Sequence, residues 1–139
     1  MHKVVLDTNV IISACISSVN APGLIIDKLF FDDKITLCLS QDVLDEYLEV
    51  LKRPKFQKIS LFSKNAQKFV HYLHKSAEWY NPQVKYQDAH DVDDNIFLEL
   101  AVEASADFLI TGNLKDFPTP DFKNIPIVSP SEYWTVYQP

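Results

Sequence analysis

The sequence is poor in glycine and in cysteine. Its two glycines exclude the glycine-rich loops that surround phosphate groups in many nucleotide-binding proteins. Its two cysteines, Cys15 and Cys38, match no zinc-ligand spacing and are too few for a disulfide framework, so we interpret them as free thiols in a reducing cytoplasm. The chain also lacks a signal peptide and any apolar run as long as a membrane span. These absences predict a cytoplasmic protein with no membrane partner.

Hydrophobic residues make up 47% of the 139 residues, which is enough for a folded core, and we expect one domain over residues 1–139. Runs typical of buried strands alternate with segments of helical periodicity. This alternation predicts an α/β fold, a three-layer α/β/α sandwich with a central parallel sheet of about five strands. Strands are predicted at residues 4–6, 35–39, 77–80, 108–110 and 127–128. Helices are predicted at residues 10–16, 22–31, 41–53, 63–75, 95–104 and 130–136, with residues 55–60 ambiguous and residues 81–92 a long polar loop.

Acidic and basic residues are segregated along the chain. The net charge is −6, which by itself disfavours a nucleic acid partner. Residues 51–77, however, contain no acid and seven basic residues, namely Lys52, Arg53, Lys55, Lys58, Lys64, Lys68 and Lys75. Such segregation is typical of a phosphate-facing surface beside an acidic centre. A solvated, lysine-rich helical face explains it equally well.

The first predicted strand ends in three polar residues, Asp7, Thr8 and Asn9. Ligands of open α/β sheets bind beyond the carboxyl ends of the strands, so Asp7 is a candidate functional carboxylate. The same three residues are also good caps for the helix that follows. Taken alone, the two interpretations are equally supported.

Three further acids favour function only in combination, because taken alone Glu46 fits an ordinary boundary glutamate, Asp94 a charge that complements a helix dipole, and Asp116 a turn aspartate. Glu46 lies at the edge of the apolar stripe of the third helix, Asp94 opens the strongly apolar helix at residues 95–104, and Asp116 follows the strand at residues 108–110. A doubly wound sheet brings such positions to one end. Two carboxylates 4 Å apart repel by about 4 kcal/mol at an effective dielectric of 20. The cluster therefore requires protonation or a hard divalent cation, Mg²⁺ or Mn²⁺.

These residues resemble the motifs of the PIN-domain family, specifically its VapC-like toxin endoribonucleases. Residues 5–9, Val-Leu-Asp-Thr-Asn, resemble the opening strand of the family. Glu46 resembles its helical glutamate, residues 93–101 its third motif, and residues 106–117 its fourth motif. The resemblance covers nearly the whole chain, and the four motifs occur in the family's order.

The resemblance implies a metal-dependent ribonuclease. One or two Mg²⁺ (or Mn²⁺) ions would bind Asp7 and Asp94, with Glu46 and Asp116 binding the ions or orienting their waters. The supporting residues would be Thr8, Asn9, Asp93, Thr111 and Asn113. Position 113 is asparagine where many relatives carry aspartate, which leaves the second ion open, and Asp93 beside Asp94 leaves the direct ligand open by one residue.

The resemblance also implies partners. The substrate would be single-stranded RNA, cut to 5′-phosphate and 3′-hydroxyl ends, and the chain would be the toxin of a toxin–antitoxin pair. A cognate antitoxin protein would cover the acidic site, and the toxin would form a homodimer or a higher homo-oligomer. Arg53, Lys55 and Lys58 would contact the RNA backbone. Phe56 or Tyr86 would stack on bases, although Phe56 is equally suited to the core.

Other functions fit the sequence less well. A haloacid-dehalogenase-like phosphatase needs a second aspartate two residues after the first, where Asn9 stands. RNA cleavage by histidines would need two placed imidazoles, and the spacing of His71 and His74 indicates a solvated helical pair. The alternative we retain is a catalytically inactive PIN-like module that binds RNA or protein. All four acids are present, which favours the enzyme.

Overall fold

The chain, described over residues 1–139 by a computed structural model, is built around one six-stranded sheet. The strands are β1 (His2–Leu6), β2 (Ile35–Leu39), β3 (Glu78–Trp79), β4 (Phe108–Ile110), β5 (Asp121–Phe122) and β6 (Ile125–Val128). Their order across the sheet is β3-β2-β1-β4-β6-β5. All neighbouring pairs are parallel except β5 with β6. The five parallel strands are those predicted from the sequence.

Helices connect the strands. They are α1 (Thr8–Ile16), α2 (Ala21–Leu24), α3 (Gln41–Leu51), α4 (Pro54–Gln57), α5 (Phe62–Ser76), α6 (Asn95–Ala104) and α7 (Pro130–Glu132). A π-helical segment, Ile25–Phe30, continues α2, and another, Tyr133–Tyr137, continues α7. Single 3₁₀ turns stand at Val92–Asp94 and Leu114–Asp116. No single helix is long and apolar enough to cross a membrane. Only a bent pair, Thr8–Ile16 with Ala21–Phe30, passes that test jointly, across a 92° bend.

The central strands are buried, as their apolar sequences predict. Val4 and Val5 of β1 are fully shielded from solvent, because β1 lies between two parallel neighbours and helix α6 packs against it. Helix α3 begins at its predicted cap, where Ser40 Oγ accepts a hydrogen bond from the backbone N–H of Val43 at 3.3 Å. Its apolar stripe is buried from Val43 to Leu51. It ends two residues earlier than predicted.

The structure differs from the prediction at two places. Strand β5 was not predicted, because it has two residues and pairs with β6 through a tight turn at Lys123 and Asn124. Both turn residues have positive φ angles, 48° and 68°, without the Asn-Gly sequence typical of such a hairpin. Ser63 was predicted to cap α5, but that helix begins at Phe62, and the Ser63 hydroxyl donates to the side chain of Gln57 instead.

The order of the strands creates one crevice in the sheet. The chain leaves β1 towards β2 on one side and leaves β4 towards β6 on the other, and β1 and β4 are neighbours. The connections therefore diverge between the carboxyl ends of β1 and β4, which is the position where doubly wound sheets bind ligands. Asp7 follows β1 and Thr111 follows β4, so both lie at this point.

Candidate active site

Asp7 stands at the N-cap position of α1, yet its side chain does not cap the helix. The carboxylate is 5% exposed. Its Oδ2 accepts hydrogen bonds from the Thr111 hydroxyl at 2.7 Å and from the Asn9 side-chain amide at 3.1 Å. The structure therefore disfavours the capping interpretation, because the side chain makes no capping hydrogen bond and is held by two other side chains.

The same side chains join the ends of β1 and β4. Asn9 Oδ1 accepts a hydrogen bond from the Gly112 N–H at 3.0 Å, while its amide holds Asp7. Thr111 Oγ1, which donates to Asp7, also accepts from the Asn113 N–H at 3.0 Å. Because each group bonds to both strand ends, the geometry of Asp7 depends on the turn at residues 111–113. Thr111 is completely buried, which limits its rotamers and strengthens this control.

Glu46 approaches the crevice from α3. It is half-buried, and its Oε2 accepts a hydrogen bond from the Thr8 hydroxyl at 2.9 Å. The next residue, Tyr47, donates its buried hydroxyl to the Leu6 carbonyl at 2.5 Å. Helix α3 is thereby fastened to the end of β1. The sequence placed Glu46 at the edge of the apolar stripe of α3. In the structure this brings its carboxylate close enough to Asp7 for its charge to raise the pKa of Asp7.

The three aspartates before α6, Asp91, Asp93 and Asp94, differ in their hydrogen bonds and exposure. Asp91 Oδ1 accepts from the Asp93 N–H at 3.0 Å and caps the turn at Val92–Asp94. Asp93 is exposed, whereas Asp94 is half-buried. Asp94 joins this turn to α6 with a helical backbone, and its side chain makes no capping hydrogen bond. Asp94 is thus the less exposed of the two, and the charge of Asp7 contributes to its raised pKa.

Asp116 ends the turn at Leu114–Asp116, and its side chain lies in the wall of the same cleft. Its carbonyl accepts a hydrogen bond from the His90 N–H at 2.8 Å. The segment that precedes Asp91 is thus bonded to the segment that carries Asp116. The two late acids, Asp94 and Asp116, are connected through the backbone.

Mutual repulsion and burial perturb two of these carboxyl groups. Burial is the largest cause that raises the pKa of Asp7, to about 6, and the charges of Glu46 and Asp116 raise it further, against the opposing hydrogen bond from Thr111. Burial also raises the pKa of Asp94 to about 7, followed by the charges of Asp7, Asp91, Asp116 and Glu46. Each group is therefore partly protonated near neutral pH unless positive charge is supplied.

The carboxylates surround one open cleft of about 410 Å³. It contains all four predicted acids and most of the predicted supporting residues. The lining residues are Asp7, Thr8, Asn9, Ile12, Ser13, Glu46, Val50, Arg53, Phe56, Asp91, Asp93, Asp94, Asn113 and Asp116. Thr111 contacts the cleft through its bond to Asp7.

The donor set of the cleft suits a hard cation. Its side chains offer carboxylate, hydroxyl and amide oxygens, the ligands of Mg²⁺ and Mn²⁺. Neighbouring carboxylates add to the effect of burial in raising the pKa values of Asp7 and Asp94. No three His, Cys, Asp or Glu side chains converge on a common ligand position. A cation here would need waters or substrate phosphate oxygens to complete its coordination, as Mg²⁺ commonly does.

Among the basic residues at positions 51–77, only Arg53 lines the cleft. Arg53 lies in the cleft wall, where its guanidinium is 3.4 Å from the Glu49 carboxylate. Lys55 and Lys58 are exposed and outside the lining. The Lys55 ammonium lies 5.1 Å from the centre of the Phe56 ring. Of the three predicted RNA-contacting residues, the structure brings Arg53 alone to the acids.

The two aromatic residues expected to stack on bases differ in position. Phe56 lines the cleft and also stacks on Phe62, with ring centroids 5.2 Å apart, so it belongs to both the core and the cleft wall. Tyr86 lies outside the cleft, with its ring edge-on to Phe122 at 5.2 Å. The structure does not bring Tyr86 to the carboxylates, because the loop that carries it is docked on α6.

The sequence matches the model of a known protein family. The PIN-domain model matches residues 3–115. The chain belongs to the PIN-domain family. The matched region includes Asp7, Glu46 and Asp94 and ends one residue before Asp116. The family predicted from the four sequence motifs is thus confirmed.

Two relatives extend this result. The PIN-domain chain is 35% identical over 111 residues to an uncharacterized protein of Methanocaldococcus jannaschii, across 80% of this chain and 70% of that protein. Its structure is similar to a chain in the crystal structure of VapBC2 from Rickettsia felis bound to a DNA fragment from their promoter, with a TM-score of 0.56 and 15% identity, across 91% of this chain and 98% of that chain. The latter similarity concerns the fold and confirms the predicted α/β architecture with its central parallel sheet.

Sequence reasoning missed two polar residues of the PIN-domain cleft. Ser13 follows Asn9 by one helical turn on α1, and this i,i+4 spacing was the available signal. Asp91 was interpreted only as a charge near a helix N-terminus, whereas it also lines the cleft. His71 and His74, predicted to be a solvated pair, are exposed on α5 and outside the cleft.

Proposed function

We propose that this PIN-domain protein is a metal-dependent endoribonuclease that hydrolyses phosphodiester bonds in single-stranded RNA. The observation that carries the proposal is the pair Asp7 and Asp94. Both line one cleft, and burial together with neighbouring carboxylates raises the pKa of each. Two carboxyl groups with raised pKa values in one cleft are typical of a functional site, and a cation would relieve their repulsion.

Asp7 and Asp94 would hold the Mg²⁺ or Mn²⁺ ion, one ion or two. Glu46 and Asp116 would bind or orient water around it, and Asp93 and Asn113 would support them. When bound, such an ion stabilises negative charge on the phosphate and makes a water molecule more acidic. The chain's own residues keep the site ordered: Thr111 and Asn9 fix the Asp7 carboxylate, and the Thr8 hydroxyl fixes Glu46.

The proposed reaction is in-line hydrolysis. The oxygen of a water molecule forms a bond to phosphorus, the bond from phosphorus to the 3′ oxygen breaks, and that oxygen takes up a proton. The water's proton passes to a cleft carboxylate or to solvent. The products carry a 5′-phosphate and a 3′-hydroxyl. Arg53, in the cleft wall, would pair with a backbone phosphate, and Lys55 and Lys58 would extend this contact along the strand.

We further propose that the protein is the toxin of a toxin–antitoxin pair in the cytoplasm. Its fold similarity to a chain of the VapBC2 structure supports this role. A cognate antitoxin protein would cover the acidic cleft, and a positively charged segment would complement its carboxylates. We also propose a homodimer or higher homo-oligomer and a single nuclease domain over residues 1–139.

One observation favours the alternative of an inactive PIN-like module that binds RNA or protein. No three metal-ligating side chains converge on a common position. A scaffold without a closed ligand set binds a cation weakly, and weak binding reduces turnover. The two functions differ in one measurable property, the cleavage of bound RNA.

The deciding experiment is a nuclease assay on a 5′-labelled single-stranded RNA. We expect cleavage in Mn²⁺ or Mg²⁺ and none in EDTA, with single-stranded DNA and duplex RNA as substrate controls. Asp7→Asn protein, purified in parallel, controls for contaminating nuclease. RNA binding without cleavage in any divalent metal would support the inactive module. Equal cleavage by the wild type and Asp7→Asn would refute the proposed site.

A further inference from the structure

One face of α6 holds the long loop before it through three evenly spaced side chains. Asn95, Glu99 and Glu103 follow one another at i,i+4 spacing, which places them on the same helical face. Asn95 Oδ1 accepts from the Ala89 N–H at 3.0 Å, Glu99 Oε2 from the Tyr86 N–H at 3.1 Å, and Glu103 Oε1 from the Gln83 N–H at 3.1 Å. We call the docked segment, residues 83–90, the strap.

Glu99 is the unusual member of this face. It is 6% exposed in the middle of a strongly apolar helix. Its second oxygen has only the Lys85 ammonium nearby, at 3.5 Å, and that lysine is largely exposed. Burying a carboxylate is costly unless hydrogen bonds or an ion pair compensate. An apolar residue would pack here at lower cost, so the position of this charge is explained by the strap backbone that it binds.

The strap leads directly into the cleft. At its end, the His90 N–H donates to the Asp116 carbonyl at 2.8 Å, and the His90 ring contacts the Lys115 carbonyl. The next residue, Asp91, caps the turn that presents Asp94. The strap is therefore bonded to α6 along its length, to the Asp116 turn at its end, and through Asp91 to the Asp94 turn.

We propose that Glu99 is a positioning residue for the nuclease reaction: by docking the strap on α6, it sets the separation of Asp94 and Asp116 across the cleft. This proposal rests on the proposed ribonuclease function. Glu99 does not line the carboxylate cleft and touches no reacting group. It acts through the backbone of Tyr86 to His90, and a shift of about 1 Å in such a support can cost about a hundredfold in rate.

Two substitutions separate the binding of the strap from the packing of the side chain. Glu99→Leu fills the buried position with an apolar side chain but removes the acceptor for the Tyr86 N–H. Glu99→Gln keeps an oxygen that accepts from this N–H and removes the charge. We expect Glu99→Leu to lower kcat between about tenfold and a hundredfold with little change in KM, and Glu99→Gln to stay within about twofold of the wild type. Leu73→Ala, in the buried face of α5, controls for a loss of melting temperature that leaves the strap intact.

Amide hydrogen exchange in metal-free protein tests the docking without reference to activity. We expect the Tyr86 and His90 amides to exchange at least tenfold faster in Glu99→Leu, and at the wild-type rate in Leu73→Ala once global opening is accounted for. The affinity for Mn²⁺, followed by its thermal shift, should weaken in Glu99→Leu and be restored in Glu99→Gln.

The outcomes distinguish the two proposals. Unchanged His90 exchange in Glu99→Leu would overturn the positioning role, whether or not the wild type cleaves RNA. Faster exchange with unchanged kcat and Mn²⁺ affinity would also overturn it, because Glu99 would then be structural only. If the wild type never cleaves RNA, the ribonuclease proposal fails and so does the catalytic part of this one. Faster exchange would still establish the docking.

Discussion

At the scale of single residues, the decisive feature is that the Asp7 side chain makes no capping hydrogen bond with the helix that it begins. A capping aspartate typically stabilises a helix by about 1 kcal/mol relative to alanine. Asp7 occupies such a position without making that bond. Asp7 and Asp94 both line the cleft beside other carboxylates, and burial together with those charges raises their pKa values. These positions therefore lower stability in the metal-free protein, which is common at functional sites.

The first prediction concerns Asp7→Asn. We expect this change to abolish RNA cleavage and to preserve the fold, because Thr111 can still donate to the remaining oxygen. The melting temperature in EDTA should stay level or rise, since one repelling charge is removed. Cleavage assays and thermal melts of the same preparation measure both effects. Full activity, or a collapse of the melting temperature, would contradict the assignment of Asp7.

The stability of metal-free Asp7→Asn relative to the metal-free wild type should depend on pH. The folded-state pKa of Asp7 is about 6, above the ordinary value of 3.8, so folding favours the protonated form. The stability that this group contributes is complete below a pH of about 4 and is lost as the pH rises through about 6. Asparagine does not ionise, so the variant should gain on the wild type over that interval. Thermal melts of both proteins in EDTA across this pH interval test the direction of the change. A stability difference that shrinks as the pH rises would contradict the raised pKa of Asp7.

At the scale of elements, close backbone contacts hold the helices around the sheet. Gly23 in α2 lies against the end of α1: a Cβ atom there would be 2.2 Å from the Ser17 carbonyl oxygen and 2.7 Å from Ser18 Cα. Both are backbone atoms, which cannot rotate away. The chain's other glycine, Gly112, would bring a Cβ only to 3.2 Å from the Asn9 side chain. The requirement for glycine is therefore stronger at Gly23.

The second prediction follows from this contact. We expect Gly23→Ala to lower the free energy of unfolding by about 1–3 kcal/mol, the usual cost of overpacking, or more. Urea denaturation monitored by circular dichroism measures the change. Gly112→Ala is the matched control and should cost less, because the Asn9 side chain can move. A loss in Gly23→Ala no larger than that in Gly112→Ala would contradict the tight backbone contact at Gly23.

The third prediction concerns the junction of α3 and α4, which carries Arg53 and Lys55. If both contact RNA phosphates, each lost contact should flatten the dependence of log K on log salt by about 0.7. We expect Arg53→Gln with Lys55→Gln to weaken RNA binding across unrelated sequences, because phosphate contacts carry no sequence information. Titrations at several salt concentrations in an Asp7→Asn background measure the slope without cleavage.

A pair of distant lysines provides the control for net charge. Lys64 and Lys75 on α5 are exposed and lie outside the cleft, so Lys64→Gln with Lys75→Gln removes the same charge. We expect this pair to leave the salt slope near that of the parent. An unchanged slope in the Arg53 and Lys55 variant would assign that junction to solvent, to an antitoxin or to a second protomer.

At the scale of the whole molecule, a bound cation should couple the cleft to global stability. The acids reach the cleft from β1, α3, α6 and the turn after β4, so an ion that neutralises them stabilises the arrangement of all these elements. A ligand that binds only the folded state adds about 2.7 kcal/mol at a hundredfold excess over its Kd.

The fourth prediction is that Mn²⁺ raises the melting temperature and that the rise depends on Asp94. We expect the shift to be largely lost in Asp94→Asn and mostly retained in Asp93→Asn, because Asp94 is the half-buried partner of Asp7. Thermal melts over a range of Mn²⁺ concentrations compare the three proteins. The reverse order would make Asp93 the ligand, and equal shifts in all three would remove both from the ion's coordination.

Local patterns in the sequence determined the α/β class, the five parallel strands and the family. Buried strands require continuous apolar runs, and an amphipathic helix such as α3 requires a 3.6-residue repeat. Both are visible without tertiary contacts. The candidate acids were visible for related reasons: Asp7, Asp94 and Asp116 lie close to the ends of predicted elements, and Glu46 lies at the edge of the apolar stripe of α3. Strand β5 was not visible, because two residues and a turn of Lys123 and Asn124 carry no periodic signal.

Only the tertiary structure decided how the acids are used. Asp7 could have capped α1. It does not, because Thr111, 104 residues away in sequence, donates to its carboxylate. Tyr86 lies apart from the carboxylates because Glu99, 13 residues further along, binds its backbone amide. Such choices depend on hydrogen bonds between distant residues that compete with local ones, and no short stretch of sequence contains both partners.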